Sequence, residues 1–108
     1  MKKSNDPRDH STRRPDLEAL VTFLRNEDGG RRSPTSSGYS AQLDVEGRKR
    51  IPALFTFEEE QLVYPGDSLT ASLTLLAEAP QSLFYVGLSF RFFENEKFVG
   101  TGVVTALL

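Results

Sequence analysis

The chain has 108 residues and no cysteine. That excludes a disulfide framework and any thiolate metal site, and it fits a reducing, cytoplasmic setting. The single histidine, His10, lies in a polar stretch with nothing apolar to bury it, so a Ser-His-Asp triad is not expected. No apolar run approaches the roughly 18 residues of a membrane-spanning helix. The charged N-terminus is not followed by the apolar segment of a signal peptide, so no membrane partner is expected. The G-x-x-x-x-G-K-[ST] pattern of a phosphate-binding loop is missing too.

Residues 1–16 have almost no apolar side chain beyond Met1. They cannot bury enough surface to offset the entropy of ordering, and we read them as a flexible polar tail ahead of one folded domain, 17–108. Lys2, Lys3, Arg8, Arg13 and Arg14 outnumber Asp6, Asp9 and Asp16 there. The tail therefore either solubilises the chain or steers it toward an acidic partner. The net charge is −2, so the remainder is acidic.

From Leu17 the pattern is that of strands. Composition permits a short helix over "LEALVTFLR", while its alternation and the closing glycines permit a strand with two partly buried faces. "SAQLDVE" is period-two: Leu43 and Val45 on one side, Gln42, Asp44 and Glu46 on the other. "YPGD" predicts a type II turn with Gly66 supplying the positive φ. Leu69, Ala71, Leu73 and Leu75 alternate strictly. Phe84, Val86, Leu88, Phe90 and Phe92 are expected on one strand face. Glu94-Asn95-Glu96 forms a hairpin tip, and Phe98 to Val104 returns, with Gly100 and Gly102 marking a bend or bulge. About six short strands with close turn signals predict a small all-β barrel or sandwich with antiparallel pairing.

The eight phenylalanines fit a barrel core. The alternative is a base-stacking platform, but only Arg91 sits among the C-terminal ones. Acidic side chains cluster at Glu27-Asp28, at Glu58 to Glu60 and at Glu94 and Glu96. All fall in turns or at strand ends, where solvated acids are expected rather than a general acid in a cleft. We expect no enzyme, no cofactor and no metal site.

"DGGRRSPTSSGYSAQ", "VYPGDSLTASLTL" and "GTGVVTALL" together resemble the third, C-terminal β-barrel domain of translation elongation factor Tu. That family runs from an acidic residue and G-G-R through Ser/Thr-Pro to G-Y and x-x-Q. It has a later M-P-G-D turn and ends in R-F-x-x-R-E-G-G-R-T-V-G-x-G-V-V. The matching positions are Gly29, Gly30, Arg31, Ser33, Pro34, Gly38, Tyr39 and Gln42; Pro65, Gly66 and Asp67; and Phe90, Glu94, Val99, Gly100, Gly102, Val103 and Val104. Order and most spacings agree over 17–108. The resemblance implies a six-stranded antiparallel Greek-key barrel, with Gly29-Gly30-Arg31 as the turn leaving the first strand and Arg31 presented at the surface. It also implies no GTP binding by these 108 residues, which hold neither the family's GTPase domain nor its second barrel.

In the family this barrel touches the tRNA T-stem, the GTPase domain and the exchange factor. The tRNA-side positions that match are Arg31, Gln42 and Glu94, with Arg32 in place of the usual histidine. The arginines suit phosphates and Gln42 a 2′-hydroxyl. "GRKR" adds Arg48, Lys49 and Arg50 to a basic patch, and Lys97 keeps a positive charge after the hairpin tip, where Asn95-Glu96 replaces the family's G-G. "AEAPQSLFYVG" is about three residues longer than its counterpart. Two functions are implied. One is a non-catalytic module docking on a protein partner such as a translation GTPase. The other is an accessory gripping a tRNA-like stem through the basic loops. A protein that interferes with elongation factor Tu by imitating it is a third possibility.

Overall fold

The computed structural model describes residues 14–47, 50–58 and 61–108. Its strands are β1 (Leu17–Phe23), β2 (Tyr39–Asp44), β3 (Ile51–Phe57), β4 (Ser68–Leu75), β5 (Ser89–Glu94) and β6 (Lys97–Leu107). They close into an antiparallel barrel in the order β1-β4-β3-β2-β5-β6. β1 is a strand, seated between β4 and β6 with Leu17, Ala19, Val21 and Phe23 inward. Ladder pairing on both sides overrides the helical propensity of its Leu, Glu and Ala. The barrel takes hold at Asp16: its amide donates to Leu73 O at 2.8 Å, and its Oδ2 accepts the Leu75 amide at 2.7 Å. The rest of the tail, residues 1–13, lies outside the described residues.

Inward positions of period-two strands meet in one core. Phe23, Phe55, Phe57, Phe84, Phe90 and Phe92 belong to it. Phe92 sits at its centre, 5.2 Å from Phe23 and 5.0 Å from Phe55 between ring centroids. The β6 glycines make room for these rings. A Cβ on Gly100 would fall 2.2 Å from Phe92 Cζ, and one on Gly102 2.3 Å from Phe90 Cζ. Those phenylalanines are their cross-strand partners. The register shifts fall elsewhere, between Phe92 and Phe93 and between Glu18 and Ala19, leaving Val99 without a register partner in β5 and Thr105 without one in β1. The two glycines thus serve ring packing, and the expected irregularity lies beside them.

The run expected as one strand face before Phe90 is interrupted. Leu88 N donates to Tyr85 O at 3.0 Å and Gly87 takes φ 97°, so 85–88 is a turn and Val86 is exposed. Phe84, Leu88, Phe90 and Phe92 still point to the core. The Tyr64–Asp67 turn forms as expected, with Asp67 N on Tyr64 O at 3.0 Å and Gly66 at φ 98°. It docks on β1 through Gly66 N to Phe23 O at 2.9 Å.

Candidate functional site

The stretch Asn26 to Pro34 is built as a turn. The amides of Asp28 and Gly30 donate to Arg25 O, and that of Gly29 donates to Asn26 O, all within 3.0 Å. Gly30 has no room for a side chain, since a Cβ would lie 2.1 Å from Leu24 O. With these three amides turned onto the carbonyls of Arg25 and Asn26, they are not free to cradle a phosphate. Its product is the position of Arg31, which leaves the turn toward the β5–β6 hairpin.

Arg31 is not presented freely. Its Nη1 donates to Glu94 Oε2, and its side chain is 21% exposed. Tyr39 Oη donates to the same Glu94 oxygen at 2.6 Å, and the Arg31 guanidinium lies 5.2 Å from the Tyr39 ring centroid. Nε adds a 3.3 Å bond to Ser33 O. Burial, and then the bond to Glu94 and its charge, push the Tyr39 hydroxyl well above the ordinary phenol value, with Arg31 opposing. Glu94 is thus not the solvated hairpin acid expected at a strand end. It is the shared acceptor of a cation and a phenol.

Arg50 reaches the same hairpin from the other side. Its Nη1 donates to Asn95 O at 2.7 Å, and its guanidinium stacks 3.8 Å over the Phe93 ring. Phe93 and Phe98 pair on the outer wall, 5.5 Å apart. Arg91 lies 5.5 Å and 5.8 Å from their centroids and donates to Asp44 Oδ2 at 2.8 Å. These two rings stand outside the core set, as a stacking platform would require. Arg50 covers Phe93, however, leaving it 7% exposed, so its face is already taken.

The structure therefore gathers Arg31, Glu94 and Arg50 around one hairpin, whose tip is Asn95-Glu96 with Asn95 at φ 55°. Lys97 is exposed at its base, paired in register with Glu94. Gln42 lies on the outer wall in register with Phe93 and Pro52. Arg32 is exposed and forms no hydrogen bond, ion pair or ring contact with another described side chain. Arg48 and Lys49 lie outside the described residues.

Sequence reasoning treated Asp44 only as an outward strand residue. In the barrel it stands opposite Arg91, nine-tenths buried, with Oδ1 lacking any hydrogen-bond partner. The signal was present in principle, as an acid inside a strand flanked by inward apolar residues, but naming its partner needs the register. Among the described residues no three His, Cys, Asp or Glu side chains converge as a metal site would need, and no helix is long and apolar enough to cross a membrane. No family model matches the chain.

Proposed function

We propose that this chain is a non-catalytic protein-binding module that docks its barrel wall on a translation GTPase, the partner suggested by its resemblance to the third domain of elongation factor Tu. The observation that carries the reading is apolar exposure on one wall. Leu20 and Val103 face each other across β1 and β6 and are 46% and 40% exposed. The 85–88 turn, with exposed Tyr85 and Val86, is bonded to Val104 of the same β6 strand through Gly87 N at 2.8 Å. Apolar residues grouped this way are typical of interaction surfaces. Two of the basic residues suited to phosphate are meanwhile engaged within the chain: Arg31 by Glu94, Arg50 by Phe93 and Asn95.

The test is calorimetric titration of the purified chain into an elongation factor Tu fragment comprising the GTPase domain and second barrel, in both nucleotide states. Aminoacylated and uncharged tRNA are titrated in parallel at two salt concentrations. Saturable binding to the fragment, weakened by Leu20→Glu or Val103→Glu, supports the module. Binding to tRNA alone, steeply salt-dependent and lost on changing Arg32 and Lys97 to Ala, replaces it with the RNA-binding reading. Binding to neither refutes the proposed partner.

A further inference from the structure

We propose that two copies of this chain associate through the uncharged wall of β4, β1 and β6. This weak two-fold pairing covers the surface that the protein-binding reading gives to its GTPase partner, and yields to that partner; the competition, though not the pairing, rests on that reading. Register sets the rows of the wall. Thr70, Leu20 and Val103 lie side by side across β4, β1 and β6, and Ser89 of β5 continues the row. Ser68, Thr22 and Thr101 form the next row. The outward positions of β1 and β4, and those of β6 from Thr101 to Leu107, hold one charged side chain, Glu18. Charge gathers instead around β2 and β5, where Arg91 bonds Asp44 and Arg50 covers Phe93.

Charge and closure select the occupant. All six strands are paired around the barrel, so a second copy finds no free sheet edge to extend and must meet the first wall to wall. In a two-fold contact a patch meets itself, and a patch of one sign repels its copy. With a net charge of −2, the chain meets that penalty least on this wall, where Glu18 lies off the centre. A two-fold axis along the strands, midway between β1 and β6, seats Leu20 of each copy on Val103 of the other. Both are large apolar side chains exposed on the wall. Beside them Thr22 Oγ1 and Ser68 Oγ bond each other at 2.8 Å, so both hydroxyls keep a partner when water leaves. At about 4.8 Å between strands and about 3.3 Å per residue, three strands over the span Glu18 to Thr22 make a face of roughly 15 by 17 Å. Two such faces fall short of the roughly 1,200 Å² that stable complexes bury, so the pair is transient. A partner that reaches further, onto exposed Tyr85 and Val86, displaces it.

The test is analytical sedimentation of the full chain alone, from about 20 μM to about 2 mM, bracketing an expected dissociation constant of about 0.1–1 mM. The weight-average mass should climb toward twice that of the chain. Leu20→Lys and Val103→Glu should each weaken association by about tenfold or more, holding the chain near the monomer mass. Mixed in equal amounts, the two variants should associate again, because each contact then pairs either opposite charges or the native Leu20 and Val103. Recovery on mixing also shows that both variants are folded. A native chain that stays monomeric throughout, association that survives either substitution, or a mixture no tighter than its components overturns the proposal. Self-association without binding of the GTPase fragment refutes that partner and leaves the pairing standing. Fragment binding by a chain that stays monomeric refutes the pairing alone. A fragment that binds without dissolving the pair overturns their competition for this wall.

Discussion

Removing Glu94 should loosen the barrel and free a cation at once. Its Oε2 accepts from both Arg31 Nη1 and Tyr39 Oη. In Glu94→Ala, Arg31 keeps a 3.3 Å bond to Ser33 O, a 3.5 Å contact with Ser33 Oγ and its place 5.2 Å from the Tyr39 ring centroid, and the Tyr39 hydroxyl loses its acceptor. Hydrogen bonds to charged groups are worth about 1.5–3 kcal/mol each. Arg31 and Glu94 side chains are 21% and 29% exposed, so water recovers part of that loss. A net cost of about 2 kcal/mol follows. For a domain of this size each kcal/mol moves Tm by about 4–8 °C, so thermal unfolding should shift down by roughly 10 °C. Glu94→Gln keeps an acceptor for Tyr39 and should cost about half as much. A double-mutant cycle with Arg31→Ala should return a coupling near 1 kcal/mol. The freed guanidinium should also raise tRNA affinity of Glu94→Ala at low salt, since counterion release grows with each available cation. A Tm shift within about 2 °C and a coupling near zero would refute the argument, showing the pair to be solvated and Arg31 already available.

The raised Tyr39 value predicts an alkaline loss of stability. The folded state holds that proton more tightly than the unfolded one, so the contribution is complete below the ordinary phenol range and declines above about pH 10 by up to ~1.4 kcal/mol per pH unit. Urea unfolding against pH should show this extra slope in the native chain and lose it in Tyr39→Phe. Gly100→Ala places a Cβ 2.2 Å from a fully buried ring and should cost about 3 kcal/mol by overpacking, with partial rescue by Phe92→Leu in the same chain, read by chemical denaturation. Arg50→Ala removes a stacked guanidinium and a bond to Asn95 O. It should cost about 1–2 kcal/mol and raise amide exchange at the 94–97 tip more than in the core strands, as hydrogen exchange would report.

What could be read in advance was whatever a single strand states about itself. Leu43 and Val45 against Gln42 and Asp44, or Leu69 to Leu75, declare an inward face by period two, and the barrel confirms those faces. Tyr64 to Asp67 declares its turn through proline and glycine chemistry alone. Where two signals of equal strength compete, one strand is not enough. Leu17 to Phe23 resolves only because β4 and β6 pair with it on both sides. Phe84 to Phe92 keeps an unbroken alternation that hides the turn at 85–88, with Gly87 its lone mark. The candidate site lies one level further off, because the bonds that assemble it join distant strands and loops. Arg31 and Glu94 are 63 positions apart and Arg50 and Asn95 are 45 apart. Composition lists their charges, but only closure of the barrel decides which of them cancel. Arg31 and Arg50 face partners that the sheet order delivers, so their positive charge holds the β5–β6 hairpin. Asp44, which one strand presents as an ordinary outward acid, is left by its neighbours with an oxygen that has no donor.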